Sequence, residues 1–117
     1  MAKILVIDDD EDILFSVGLI LKKEGLEPIT STRAELFLQL IEDHQPELIL
    51  LDVFIGSFDG RKLCLTLKSN ALYKNLPVLL FSANYKHMED FPQYKADGFI
   101  SKPFSMKELV NKSKAYL

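Results

Sequence analysis

A single cysteine, Cys64, stands among 117 residues, which excludes a disulfide framework and any zinc site built on cysteine pairs. Tryptophan is absent, and glycine and proline number five each. With 48% apolar and 26% charged residues, the composition fits neither a disordered nor a low-complexity chain. No apolar run approaches the ~18 residues of a membrane-spanning helix, and Met1-Ala2-Lys3 is too short for the charged start of a secretion signal. Basic residues are not clustered or interleaved with aromatic ones, so direct nucleic-acid binding has no support. What these absences leave is a soluble cytoplasmic protein with no membrane partner, a single domain over residues 1–117. At this length it can bury roughly two-thirds of its unfolded surface.

The net charge of −3 hides an asymmetry. Residues 1–60 carry 4 basic and 13 acidic side chains, whereas residues 61–117 carry 10 and 4. Five of the acids are consecutive, Asp8 through Asp12. The acidic half needs cations, from the other half of the chain or from solution.

Short apolar runs alternate with amphipathic stretches. Ile4-Leu5-Val6-Ile7, Leu48-Ile49-Leu50-Leu51 and Val78-Leu79-Leu80-Phe81 are continuous and suit strands buried on both faces of a parallel sheet. Glu27 to Thr30 and Gly98 to Ser101 are weaker strand candidates. Helical periodicity joins Leu14, Val17, Gly18 and Leu21; Ala34, Phe37, Leu38 and Ile41; Gly60, Leu63, Cys64 and Leu67; and Met106, Leu109, Val110 and Ser113. Asp10 is placed to cap the first helix, Gly25 to end it, and Ser105 to open the last one as a capping box with Glu108. A fourth helix within residues 86–96 is poor because Pro92 lies inside it. The order is βα repeated five times. This predicts an α/β fold, a doubly wound five-stranded parallel sheet with helices on both faces. Ligand sites in such sheets lie beyond the carboxyl ends of the strands.

The residues at those ends carry the chemistry. The first strand runs into Asp8 and Asp9, the third ends in Asp52, the fourth in Ser82-Ala83, and the fifth runs into Lys102-Pro103-Phe104. Two carboxylates ~4 Å apart repel by about 4 kcal/mol at an effective dielectric of 20, so the cluster calls for a hard cation. Oxygen ligands without His or Cys point to Mg²⁺. Lys102 can offset a further negative charge, and Ser82 offers a hydroxyl to an oxyanion. Asp10, Glu11 and Asp12 are better read as a solvated helix start that complements the macrodipole.

With these motifs in order, the chain resembles, along its whole length, the receiver domain of two-component response regulators. Ile4 to Asp9 is similar to the family's opening strand and acidic pair, and Leu48 to Asp52 to its phosphoacceptor strand. Asp59-Gly60 follows at the family spacing, Pro77 to Ala83 matches the strand with the hydroxyl residue, and Phe99 to Phe104 the strand ending in Lys-Pro-Phe. The resemblance implies the flavodoxin-like strand order 2-1-3-4-5. It implies that Asp52 accepts a phosphoryl group from a histidine kinase or phosphotransfer protein. Mg²⁺ would be held by Asp9, Asp52 and the backbone carbonyl of Phe54, with Asp8 acting through water. Ser82 and Lys102 would bind phosphoryl oxygens, Ala83 would leave room for the group, and Ser82 with Phe99 would form the switch that presents a surface to an output partner. The protein is then a switch rather than an enzyme. Two departures stand out: Gly56 where the family usually has Pro, which implies a more mobile loop, and a Ser82–Lys102 segment about two residues shorter than the family's.

Other classes fit less well. An aspartate-dependent phosphohydrolase needs an acid two residues after its nucleophile, where this chain has Phe54. A flavodoxin-like cofactor binder needs a phosphate loop after the first strand, where this chain has an acidic run. A degenerate receiver serving as a constitutive scaffold would not need the phosphorylation residues that are present. Cys64 reads as a small core residue, and His44 and His87 as surface histidines without a catalytic neighbour. Phe54 and Phe58, near Asp52, read as packing rings, with gating of the site as the alternative.

Overall fold

The computed structural model describes residues 1–117, Tyr85 by its backbone alone. In chain order the elements are β1 (Lys3–Ile7), α1 (Glu11–Lys23), β2 (Glu27–Ser31) and a 3₁₀ turn (Ala34–Leu36) that leads into α2 (Phe37–His44). Next come β3 (Leu48–Asp52), the short strands β4 (Phe54–Ile55) and β5 (Phe58–Asp59), α3 (Gly60–Lys68) and β6 (Val78–Ser82). The chain closes with α4 (Tyr85–Asp90), a 3₁₀ turn (Phe91–Tyr94), β7 (Gly98–Ser101) and α5 (Met106–Lys114).

Five strands form one parallel sheet in the order β2-β1-β3-β6-β7. This is the expected 2-1-3-4-5 winding with an extra hairpin inserted after the third strand. Every residue of β3 and β6 is buried, as their unbroken apolar runs require. Alternate side chains feed two cores. Ile4, Val6, Leu48, Leu50, Leu79 and Phe81 pack under α1 and α5 through Leu14, Val17, Leu21 and Leu109. Leu5, Ile7, Ile49, Leu51, Val78 and Leu80 pack under α2 and α3 through Phe37, Ile41, Cys64 and Leu67. Cys64 is fully buried, and burial pushes its thiol up to about 12, so it is a core residue as expected.

Local chemistry sets the helix ends. The Asp10 carboxylate accepts from the N–H groups of Asp12 and Ile13 (2.9 and 3.3 Å), Ser105 Oγ from Glu108 N–H (3.0 Å), and Asp59 from Arg61 N–H (2.9 Å). The fourth helix falls within the expected 86–96 window apart from its first residue, Tyr85. The α-helix stops at Asp90, and Pro92 lies near the start of the 3₁₀ turn, where its missing N–H breaks no helical bond. Two periodic positions also differ: Leu38 and Met106 point outward, because α2 buries only Phe37 and Ile41 and α5 buries Leu109 and Ser113.

Candidate functional site

At the carboxyl edge of the sheet, Asp8, Asp9 and Asp52 each offer an oxygen, and these atoms lie within 4.8 Å of one another. Their environments differ. Asp8 is fully buried and Asp52 is 7% exposed, whereas Asp9 is open to solvent. Lys102, just past β7, places its Nζ 2.7 Å from Asp8 and 3.3 Å from Asp52, so the basic half of the chain supplies the cation that the acidic half lacks. One ammonium cannot fully balance two buried carboxylates. Burial, and then the charge of Asp8, push the Asp52 carboxyl up to about 7 against the pull of Lys102. Burial opposes the charge on Lys102, but Asp8 and Asp52 together hold its pKa above the ordinary value.

The loop after Asp52 is shaped around this cluster. A side chain at Gly60 would drive its Cβ into the carbonyl of Asp52, so only glycine lets the start of α3 lie this close. The Gly60 N–H donates to the carbonyl of Val53 at 2.6 Å. Between them, β4 and β5 pair through Phe54–Asp59 and Ile55–Phe58, a hairpin that the sequence reading missed. Gly56 is the first residue of its two-residue turn, with φ of 60°, the glycine position of a type II′ turn. Its N–H donates to Asp9 Oδ2 at 3.1 Å, a bond that proline could not make. The loop expected to be more mobile is thus a hairpin tethered to the acid cluster. Phe54 and Phe58 on it are 57% and 40% exposed.

Ser82 ends β6 and is buried. Its Oγ accepts from Asn84 N–H at 3.0 Å and shares a 2.6 Å hydrogen bond with His87 Nδ1. His87 was expected on the surface without a reactive neighbour. It is instead 4% exposed on the inner side of α4, and its ring meets that of Phe54 edge-on, 5.3 Å between centroids. Burial, and then the charge of Arg61, lower its pKa and favour the neutral ring. Arg61 also fastens α4 from the α3 side: it binds Asp59 (2.9 Å) and Asp90 (3.2 Å) and lies over the Tyr94 ring, 5.1 Å from its centre. Phe99 is buried on β7 opposite Leu80, two residues before Ser82 on the same face, and its ring stacks on Phe91 at 6.3 Å. His44 lies half-buried at the end of α2, away from the strand-end residues.

A doubly wound parallel sheet in this order defines a flavodoxin-like fold, with the acidic cluster and the lysine at the carboxyl edge where such folds place their sites. The family profile of the response regulator receiver domain matches residues 4–114, and the chain belongs to that family. The heme response regulator HssR of Staphylococcus saprophyticus is 33% identical over 119 aligned positions, which cover 100% of this chain and 52% of HssR. This chain therefore spans about half the length of that relative. A Chloroflexus aurantiacus protein assigned as a response regulator superposes with a TM-score of 0.93 at 27% identity, covering 98% of this chain and 96% of that one. The receiver domain of NtrX from Brucella abortus superposes with a TM-score of 0.89 at 33% identity, covering 97% of each chain. No described helix is long and apolar enough to cross a membrane.

Proposed function

We propose that residues 1–117 form one receiver domain in which Asp52 is the phosphoacceptor of a two-component phosphorelay. The observation that carries this reading is the convergence of Asp8, Asp9 and Asp52 within 4.8 Å, with Lys102 bridging two of them. The donor is the phosphohistidine of a kinase or phosphotransfer protein. The P–N bond of the donor breaks as a P–O bond forms to an Asp52 carboxylate oxygen, and the imidazole nitrogen keeps the electron pair of the broken bond.

The all-oxygen donor set and its surplus negative charge fit Mg²⁺. Asp9, Asp52 and the backbone carbonyl of Phe54 would hold it, with Asp8 acting through water. When bound, it neutralises charge on the phosphoryl oxygens. Lys102 meets the same charge from the other side, and Asp8 orients Lys102 through their 2.7 Å pair. Ser82 donates its hydroxyl to a phosphoryl oxygen, and Ala83, exposed beside it, leaves the approach open. Movement of Ser82 makes room for the ring of Phe99 and carries the signal to residues 84–104, the face offered to an output protein.

Acetyl phosphate with Mg²⁺ tests this reading. Wild type is expected to acquire an acid-labile phosphoryl group and Asp52→Asn none, while Asp59→Asn, at a helix cap, still labels. Label on the Asp52 variant would show that the acceptor is elsewhere. Hydrogen exchange with and without beryllofluoride tests the output face, where altered protection is expected across residues 84–104.

A further inference from the structure

We propose that His87 is a positioning residue of the switch: its Nδ1 holds the hydroxyl proton of Ser82, the proton that the phosphoryl group must take over. This rests on the phosphoacceptor reading above and adds to it a competitor for Ser82 within the fold. A serine hydroxyl has one proton to give. Ser82 Oγ already accepts from Asn84 N–H at 3.0 Å, and the remaining 2.6 Å contact joins it to His87 Nδ1. With the ring nitrogen as acceptor, that bond commits the only proton the hydroxyl can donate. An oxyanion at Asp52 therefore recruits Ser82 only by breaking the bond to His87.

The release has somewhere to go. His87 lies on α4, and losing Ser82 leaves a buried ring nitrogen without its partner, which α4 must relieve by moving or admitting water. The same ring touches Phe54 on the β4–β5 hairpin, so one imidazole connects the hydroxyl, the hairpin beyond Asp52 and the helix. Phe99 has no hydroxyl with which to report on Ser82. His87 supplies the polar half of the switch and Phe99 the packing half. Arg61, which ties α4 to α3 through Asp90, sets what that release works against.

The ring nitrogens of ¹⁵N-histidine-labelled wild type, observed with Mg²⁺ and with or without beryllofluoride, report the bond without any substitution. The expected result is an unprotonated, hydrogen-bonded Nδ1 in the free protein whose resonance shifts when beryllofluoride binds. A protonated Nδ1, or an Nδ1 resonance that stays in place while Asp52 amides respond, overturns the proposal and leaves the phosphoacceptor reading standing. No response at Asp52 overturns both. Substitutions supply a second measurement. His87→Ala removes the competitor and is expected to tighten beryllofluoride binding several-fold, whereas His87→Asn, which can accept the same proton, restores the wild-type value. In a Ser82→Ala background, His87→Ala is expected to change nothing. Weaker or unchanged binding in the single variant, or an equal effect in both backgrounds, overturns the proposal.

Discussion

Lys102 Nζ lies 2.7 Å from Asp8 Oδ2, and the two residues are 94 positions apart in the chain. Asp8 has no exposed surface, so this ammonium is the cation that balances it within the fold. Lys102→Met keeps the apolar stem and removes the charge. It is expected to cost about 3 kcal/mol, the usual penalty for stripping one partner from a buried pair. Urea denaturation at neutral pH checks this as a lower midpoint with an unchanged slope.

Asp52 is held up to about 7 in the folded protein, above its ordinary value of 3.8. The folded state thus binds this proton more tightly than the unfolded chain. The resulting stability is fully present below pH ~4 and is lost as pH rises to about 7. Wild type without metal is expected to lose on the order of 2–4 kcal/mol across that window through this group. Asp52→Asn removes the dependence and should be the more stable protein at pH 8. Urea midpoints of both proteins at pH 5 and pH 8 check the crossing trend, and parallel pH profiles would refute it.

The same proton competes with a metal. Under the proposed site, Mg²⁺ requires the Asp52 carboxylate, so its apparent affinity is expected to fall about tenfold for each pH unit below ~7 and to level off above it. Amide shifts of residues 8–10, 52–54 and 82 during Mg²⁺ titrations at pH 6 and pH 8 measure this. Equal affinities at the two values would place the titrating group elsewhere.

Gly56 separates two effects that are usually confounded. A Cβ there meets nothing within 4 Å, so Gly56→Ala tests only the cost of a positive φ, about 1 kcal/mol. Gly56→Pro changes φ and also deletes the N–H that binds Asp9, and is expected to cost about 2–3 kcal/mol. Thermal or urea unfolding of the two variants checks the difference. Equal losses would mean that the Asp9 tether contributes nothing.

The fold was legible where apolar runs were long and uninterrupted. Ile4–Ile7, Leu48–Leu51 and Val78–Phe81 became central strands, and the acids, hydroxyl and lysine beyond them met at one edge as their positions required. The β4–β5 hairpin stayed hidden because two-residue strands leave no periodicity, and Gly56 was read for mobility rather than for a turn. His87 was missed for a related reason. A six-residue helix is too short to define a buried stripe, so nothing in the sequence distinguished its inner face. The bond to Ser82 depends on how Asn84 starts that helix three residues before His87, a geometry that propensity does not encode. Leu38 erred in the opposite direction: it joined the apolar stripe in sequence and faces solvent in the structure, because the buried face of this segment is narrow and takes only Ala34, Phe37 and Ile41.

The two cores on either side of the sheet also bear on how the strands find their alignment. Hydrophobic alternation cannot fix the register of β1 or β3, because shifting either by one residue exchanges one apolar face for another. The polar residues at the ends are not interchangeable in this way. Sliding β1 inward would carry Asp8 into hydrocarbon away from Lys102, and sliding β3 would separate the Asp52 carbonyl from the one glycine that can lie against it. The acidic edge therefore acts as an end-stop for strand pairing. Substitutions that neutralise Asp8 or Asp52 remove part of that stop along with the charge, even where they raise stability.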